Sequence, residues 1–376
     1  MSRFLVAVRC FTYNQSKYIE ETLDGFCMQQ MNAPFVCLIV DDASTDGEQK
    51  VIEQYVERNF DFTESDVAYK KETEYALIWF ARHKENKNCY FAVLFLKENH
   101  YTKWDKKISY LHEWRDIVKY EAWCEGDDCW TDSLKLQKQV DYLEAHPECV
   151  LVHTDMDVKD VSTGEIYHGK WKRQRNYNLI NRDFGNRLAP LILQGKYSVT
   201  TLTVCVRRKA HAECIEEGLL AADKNLLMGD TTLWMALATK GSFHLIPESC
   251  ACYHVLNESA THSKNYSNVI NFYVSCLYMI ELFSKRLKIS EKDKKIAIQQ
   301  YLFFLLRDVY TEKKAYLPEL QDRILKNHKL SLSNSLLLKT MDCHSIIKKL
   351  LLGVIRAEKS VSHRLNFYLA KYCGIV

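Results

Sequence analysis

Two apolar runs, each followed by a polar turn and an amphipathic segment, constrain the fold most strongly. Phe4–Cys10 and Phe35–Val40 are predicted to be buried strands. Ser16–Gln30 and residues 51–56 carry apolar side chains at helical spacing. Strand, helix, strand, helix at these intervals favours a parallel sheet with right-handed crossovers. The predicted fold class is therefore α/β, a mostly parallel sheet flanked by helices.

Carboxylates follow two predicted strands at the point where each strand ends. Asp41 and Asp42 come directly after Phe35–Val40, and Glu125–Asp128 follows the short predicted strand Glu121–Cys124. Ligands of open α/β sheets bind beyond the carboxyl ends of the strands. The two acidic clusters are therefore predicted to lie at the ligand-binding edge.

The second cluster has the composition of a metal site. Glu125, Asp127 and Asp128 repel one another unless a cation gathers them. Hard oxygen ligands on a short loop suit Mn²⁺ or Mg²⁺, especially where substrate phosphates complete the shell. The alternative is an acidic loop that stabilises the start of the following helix.

The first cluster allows a similar choice. Asx turns and a helix N-cap would explain some of Asp41, Asp42 and Asp46. Two adjacent aspartates at a strand end exceed what a turn requires. They would suit a ligand that has hydroxyl and imide donors, such as a nucleoside.

Several segments resemble family-two glycosyltransferases. Thr12–Gln15 and Val40–Gly47 look like the opening of that family, and Glu125–Asp132 is similar to its D-x-D region. Gly229–Trp234 resembles the late motif that carries the catalytic base, and Tyr253–Leu256 with Ser259–His262 looks like the closing segment. The motifs keep the family's order, and the resemblance covers roughly residues 3–263.

The resemblance implies the GT-A fold and a set of binding residues. The implied nucleotide-binding residues are Thr12, Tyr13, Asn14, Asp41, Asp42 and Ser44. Glu125 and Asp127 occupy the acidic places of the D-x-D motif, and Asp127 is the expected direct metal ligand, with Asp128 beside it. His254 and His262 are possible contacts of the diphosphate or the metal.

The resemblance also implies a reaction. Asp230 would act as the general base, although an aspartate there also suits a helix N-cap. A sugar would pass with inversion from a nucleotide diphosphate donor, a UDP-sugar by expectation, to a hydroxyl of a saccharide or lipid-linked acceptor in surface polysaccharide synthesis. Gly229 and His254 depart from the family, which often has Glu and Arg at these two positions.

Two other functions remain open from the sequence. A sugar nucleotidyltransferase would need a glycine-rich basic loop after the first strand, where this chain has Arg9–Tyr13. A non-catalytic relative would bind a sugar nucleotide without turnover. A nucleic-acid partner is not expected, because the aromatic and basic run Trp171–Arg175 is short and isolated.

Charge is divided unevenly along the chain. Residues 264–376 carry 20 Lys and Arg against 9 Asp and Glu, and residues 1–263 carry 31 against 39. We expect a catalytic domain over residues 1–263 and a basic α-helical C-terminal region over residues 264–376. The basic, apolar segment Ile346–Ile355 suits either packing on the catalytic domain or peripheral contact with the inner membrane surface.

The cysteines and the apolar segments predict a cytoplasmic location. The 14 cysteines are scattered and mostly lie in apolar runs, as expected of buried thiols in a reducing compartment. Cys250 and Cys252 alternate along a predicted strand, and we expect no metal role for this pair. No signal peptide is recognised, and no stretch approaches the ~20 apolar residues of a membrane span.

Overall fold

A computed structural model describes most of the chain. The residues described are 3–63, 68–101, 104–172, 184–220, 223, 225–256, 266–308, 317–331, 334, 335 and 338. They form two compact units. The first unit comprises residues 1–173, 199–213 and 240–256, and the second comprises 174–198, 214–239 and 257–376. The domain boundary near residue 263 stays a prediction.

All described strands belong to one sheet of the first unit. The strands are β1 (Val6–Thr12), β2 (Phe35–Asp41), β3 (Phe60–Asp61), β4 (Tyr69–Glu72), β5 (Ala76–His83), β6 (Cys89–Leu96), β7 (Tyr120–Trp123), β8 (Cys129–Trp130), β9 (Cys149–Asp160), β10 (Ile166–Tyr167), β11 (Val204–Arg207) and β12 (Ser242–Val255). Their order is β3-β5-β6-β2-β1-β7-β11-β9-β12-β8, with β4 beside β5 and β10 beside β9.

The centre of the sheet is parallel. β6, β2, β1 and β7 are neighbours that run in one direction, and most pairs on the two flanks are antiparallel. Thr12 is the register partner of Asp41, and Arg9 is the partner of Trp123. The α/β prediction is confirmed, and the parallel arrangement holds for these central strands. Their carboxyl ends therefore meet at one edge.

The central strands are apolar because the sheet is covered on both faces. Val6 and Val8 pack in one hydrophobic layer, and Ala7 packs in the other. The same alternation along β2 puts Cys37 in the first layer and Leu38 in the second. A strand buried on both faces has no solvent side, so its sequence is continuously apolar.

Helices α1 to α5 and most of α7 accompany the sheet in the first unit. They are α1 (Ile19–Cys27), α2 (Glu48–Asn59), α3 (Trp104–Ser109), α4 (His112–Arg115), α5 (Lys135–Ala145) and α7 (Arg208–Glu216). α3 and α4 end before Tyr120, which pairs with Val6 as the first residue of β7.

The second unit is helical where it is described. It contains α6 (Leu188–Leu193), α8 (Gly229–Leu237), α9 (Tyr266–Arg286), α10 (Glu291–Asp308) and α11 (Leu317–Arg323). Asp293 accepts two hydrogen bonds from the Arg187 guanidinium, at 2.7 and 3.0 Å. The helical prediction for the C-terminal region is confirmed for α9 to α11. Ile346–Ile355 lies outside the described residues. None of the described helices combines the length and the apolar character needed to cross a bilayer.

Candidate active site at the carboxyl edge of the sheet

Three loops meet around the end of β1. The Asp42 N–H donates to the Thr12 carbonyl at 3.0 Å, which joins the loops after β1 and β2. The Gly126 N–H donates to the Phe11 carbonyl at 3.2 Å, which brings the loop after β7 to the same place. The structure therefore brings together both acidic clusters and the Thr12–Gln15 segment.

The loops after β1 and β2 hold each other through short polar side chains. The Asn14 N–H donates to Ser44 Oγ at 3.0 Å, and Asn14 Oδ1 accepts from the Thr45 N–H at 2.8 Å. The Ser16 N–H donates to Asp46 Oδ2 at 3.0 Å. Asn14 has a φ of 55°, a conformation that asparagine tolerates better than most residues. Asn14 and Ser44 therefore shape the loops through these contacts.

Glu48 is a buried carboxylate that the sequence interpretation missed. One of its oxygens bonds to the Thr12 hydroxyl, and the other accepts from the Gln15 N–H at 2.9 Å and the Ser44 hydroxyl at 2.8 Å. Burial raises the pKa of Glu48 despite these hydrogen bonds. Its position as the first residue of α2 was a signal, but an acidic residue there also has an ordinary explanation in the helix dipole.

The two carboxylate oxygens of Asp41 differ in their hydrogen bonds. Oδ1 accepts from the Ser44 N–H at 3.0 Å and from Gln49 Nε2 at 2.6 Å. Oδ2 is buried and has no hydrogen-bond partner among the described residues. Burial raises the pKa of the carboxyl. A buried acceptor without a donor is costly, and an imide or hydroxyl donor of a ligand would relieve that cost.

Asp42 differs from Asp41 in that protein groups engage both of its oxygens. Oδ1 accepts from the His100 N–H at 2.6 Å, and Oδ2 forms a buried ion pair with Lys107 Nζ at 2.8 Å. Contact with a nucleotide would require one of these bonds to be exchanged. The structure therefore gives Asp42 a structural role, and its predicted nucleotide contact stays a prediction.

Tyr13 presents an aromatic ring at the same edge. It follows the buried Thr12 and is 45% exposed, which is unusual for a large side chain beside a polar network. An exposed ring offers a stacking surface to a planar base.

A close approach fixes the acidic loop against β1. A Cβ on Gly126 would lie 2.1 Å from Thr12 Oγ1 and 2.6 Å from Gln15 Oε1, so only glycine fits. From α1, the Thr22 hydroxyl lies 2.9 Å from the Gly126 carbonyl and 2.6 Å from the Asp128 carbonyl. The loop is thus held by neutral groups through its backbone.

Asp127 and Asp128 are poorly compensated in this loop. Burial raises the pKa of Asp127, and burial together with the nearby Asp127 charge raises the pKa of Asp128 well above its usual range. Asp128 Oδ1 accepts from the His254 N–H at 2.9 Å. Among the described residues, no Lys or Arg forms an ion pair with Asp127 or Asp128. Clustered carboxylates in this state fit a divalent cation, which would relieve both the burial and the repulsion.

His254 is enclosed beside this loop. Its Nδ1 lies 2.6 Å from the Asp127 carbonyl, and the residue is 2% exposed. Because a carbonyl can only accept, Nδ1 carries the proton. His254 thus contacts the backbone of the predicted metal loop, and its contact with a diphosphate stays a prediction. His262 lies outside the described residues.

Asp230 belongs to the second unit. It is exposed and is the second residue of α8, whose N-cap is Met228, without a side-chain cap bond. Its Oδ1 accepts from the Thr231 N–H at 2.7 Å. The alternative that Asp230 is an N-cap is therefore wrong, and its role as general base stays a prediction.

Comparisons with known proteins agree with this fold. The model of glycosyl transferase family 2 matches residues 10–79, which include β1, β2 and their loops. Uncharacterized proteins of Mycobacterium bovis and Mycobacterium tuberculosis are 27% identical over 267 residues, or 69% of this chain and 61% of theirs. The chain thus spans about six tenths of the length of these curated relatives.

Solved structures extend the likeness beyond the matched segment. The structure of S. aureus TarS aligns with a TM-score of 0.52 at 16% identity, covering 92% of this chain and 54% of TarS. A Pyrobaculum calidifontis mannosyltransferase in complex with GDP-Man and Mn²⁺ aligns at 13% identity over 95% of this chain and 86% of its own. The TM-score of that alignment is 0.47.

The chain is similar to glycosyl transferase family 2 over residues 10–79, and its α/β fold is the predicted GT-A fold. Both findings agree with the resemblance seen in the sequence.

Proposed function

We propose that the protein transfers a sugar from a nucleotide diphosphate donor, by expectation a UDP-sugar, to a hydroxyl of a saccharide or lipid-linked acceptor. One observation supports the proposal: an unsatisfied buried oxygen of Asp41 lies at the same edge of the parallel strands as Asp127 and Asp128, whose pKa values burial raises. The first suits a nucleoside donor group, and the second suits a cation with a diphosphate.

In this proposal the nucleoside is held by the loops after β1 and β2. Asp41 Oδ2 accepts from the base or ribose, and the exposed ring of Tyr13 lies against the base. Thr12, Asn14, Ser44 and Glu48 keep these two loops in place through their mutual hydrogen bonds. Asp42 contributes by fixing Lys107 and the backbone of His100.

Asp127 would hold Mn²⁺ or Mg²⁺, together with Glu125 and the free oxygen of Asp128. When bound, such a cation neutralises charge that develops on the departing diphosphate. Asp230 accepts the proton of the acceptor hydroxyl as that oxygen attacks the anomeric carbon. A single displacement of this kind inverts the configuration. The proposed setting is polysaccharide synthesis at the cytoplasmic face of a membrane, where the basic C-terminal region suits an anionic surface.

The test is a thermal-shift panel of nucleoside diphosphates and nucleotide sugars, each with and without Mn²⁺. A ligand at 100 times its Kd adds about 2.7 kcal/mol to the free energy of unfolding, a shift of several degrees. We expect one class of nucleotide to stabilise the wild type in a metal-dependent way. Asp127→Asn should lose the metal dependence. Asp61→Asn should keep it, because Asp61 is the last residue of β3 and its carboxylate accepts from the Thr63 N–H.

The panel also separates the alternatives. Stabilisation by a nucleoside triphosphate and a sugar phosphate, rather than by diphosphates, would favour a nucleotidyltransferase. A non-catalytic relative would bind the donor, yet Asp230→Asn would leave the biological role intact. If no nucleotide shifts the wild type with or without metal, the proposed donor site is wrong.

A further inference from the structure

Two cysteines and a histidine meet on the side of the acidic loop that faces α1. Cys129 is the cross-strand register partner of Cys252, and His254 lies two residues further along the same face of β12. The two Sγ atoms and a ring nitrogen of His254 all lie within 4.8 Å of one another, and all three residues are buried. All three belong to the first unit.

The hydrogen bond of His254 Nδ1 leaves the other ring nitrogen, Nε2, available to bind a metal. Nδ1–H donates to the Asp127 carbonyl at 2.6 Å, so the neutral ring keeps its lone pair on Nε2. Nε2 is buried and has no hydrogen-bond partner among the described residues. Histidines that bind metals commonly donate the other ring N–H to a carbonyl or carboxylate, as His254 does.

A fourth ligand is present on α1. Glu21 Oε1 lies 3.4 Å from Cys129 Sγ, and Glu21 Oε2 lies 3.9 Å from His254 Nε2. Glu21 is also exposed, so its carboxylate can move toward the other three groups at little cost. The set then contains two sulfurs, one imidazole nitrogen and one carboxylate oxygen.

We propose that Cys129, Cys252, His254 and Glu21 bind one zinc ion. Tetrahedral zinc with Zn–S of about 2.3 Å and Zn–N of about 2.0 Å places its ligand atoms about 3.5–3.8 Å apart. The ligand atoms of the cysteines and the histidine lie within 4.8 Å of one another, so they need to approach by at most about 1.3 Å. Thiolate and imidazole ligands distinguish this site from the carboxylates of the acidic loop, which suit Mn²⁺ or Mg²⁺.

A disulfide between the two cysteines is the competing outcome. Residues directly opposite on antiparallel strands have Cβ atoms about 4.5–5.5 Å apart, whereas a disulfide needs about 3.8 Å. The pairing of β8 with β12 therefore suits a bridging metal better than a covalent bond. The unpartnered Nε2 of His254, which a disulfide would leave unused, points the same way.

The proposed ion would position the acidic loop. The His254 ring donates from Nδ1 to the Asp127 carbonyl, and the backbone N–H of His254 donates to Asp128 Oδ1 at 2.9 Å. Zinc at Nε2 would fix the ring and both of these bonds, and it would tie α1 to β8 and β12. The zinc site is independent of the proposed transfer reaction, because it requires neither nucleotide nor acceptor.

The test is metal analysis and cobalt substitution on the full-length protein. We expect about one zinc per chain after dialysis against excess Mg²⁺. After zinc is stripped with a chelator under reducing conditions, Co²⁺ should give a thiolate-to-cobalt charge-transfer band and the intense d–d bands of tetrahedral cobalt. Cys129→Ser and Cys252→Ser should each weaken cobalt binding by at least about 100-fold.

Two control variants should keep the cobalt spectrum. Cys250→Ser changes a buried thiol two residues before Cys252. The Sγ of Cys250 lies 3.4 Å from Asp132 Oδ2. Asp127→Asn removes the predicted Mn²⁺ ligand, so a spectrum that survives it separates this site from the acidic loop and from the proposed function. Circular dichroism of the wild type and of each variant checks that loss of cobalt is not loss of fold.

Two results would overturn the proposed zinc site. If the reduced, folded wild type binds no cobalt with thiolate character, there is no such site. The same conclusion follows if the two cysteines form a disulfide, detected by mass before and after reduction, and the reduced protein binds no cobalt.

Discussion

The two acidic loops at the sheet edge resemble each other in sequence and differ in how their charges are compensated. In the loop after β2, Asp42 has a buried lysine and Asp41 has only neutral donors. In the loop after β7, Asp127 and Asp128 have no such ion pair among the described residues, and burial raises the pKa of both. A carboxylate with a cationic partner supports the fold, whereas one without a partner is suited to a ligand.

The largest expected effect lies in the loop without the counter-charge. Asp127→Asn should lower turnover of the donor identified by the panel about 10³-fold, because a charge aimed at the diphosphate site is lost. Its stability should change little, since the backbone of the loop is held by Gly126 and Thr22. Release of nucleoside diphosphate is the measurement. Activity within a few-fold of wild type would remove Asp127 from the site.

The opposite pattern is expected for Asp42. Asp42→Ala removes the carboxylate that faces the buried Lys107, which should cost about 3–5 kcal/mol of unfolding free energy in urea denaturation. Asp42→Ala combined with Lys107→Met should recover much of this loss, because the buried positive charge is removed with its carboxylate. Failure of the double variant to recover stability would show that the ion pair is not the source of the loss.

Glu121 extends the comparison to a buried carboxylate that has several cationic partners. Burial opposes the charge of Glu121, but His211, Arg115 and Arg208 outweigh it and lower the pKa to about 2. The lowered pKa of Glu121 corresponds to about 3 kcal/mol of unfolding free energy. This contribution is complete above the unfolded pKa of about 4.5 and is lost as the pH falls toward 2.

Glu121→Gln should therefore destabilise the protein at neutral pH, and its difference from wild type should shrink between pH 4.5 and 2. Glu144→Gln, which removes an exposed partner of Lys119, should cost at most about 1 kcal/mol at neutral pH. Denaturant midpoints measured across pH distinguish the two. An equal loss from both variants would contradict the role of burial.

Asp41→Asn should affect binding more than folding. It removes a buried carboxylate that lacks a cationic partner, so stability should change by less than about 1 kcal/mol. Nucleotide affinity, measured by calorimetry, should fall about 10-fold as an ionic acceptor becomes an amide. If stability falls by several kcal/mol and affinity is unchanged, Asp41 is structural like Asp42.

A modest effect on stability is expected where the two loops join. Asn14→Ala loses the acceptor for the Thr45 N–H and puts alanine at a φ of 55°, which should cost about 1–2 kcal/mol. Asn14→Gly keeps the favourable φ and should cost less. Thermal unfolding of both variants separates the strain from the hydrogen bond.

The sequence supplied the parallel strands and the positions of the acidic loops, because local apolar patterns report burial. It could not distinguish Asp41 from Asp42, since Lys107 comes from a segment that pairs with neither strand. β12 was only partly visible, because it contains exposed Pro247 and Glu248 and its register with β9 shifts near Ser249. The alternation of Cys250 and Cys252 along β12 does not reveal the partner of Cys252. That partner is Cys129, which lies on another strand, β8.

The central position of β1 has a consequence for synthesis on the ribosome. β1 can pair with β2 as soon as residues 35–41 emerge, and the loops that hold Asn14 and Ser44 together can then form. Its other edge waits for Tyr120 and the rest of β7, and until then it exposes unpaired backbone. The loops after β1 and β2 can therefore be assembled before the acidic loop exists, and a nascent chain paused between the two stages would have an open strand edge.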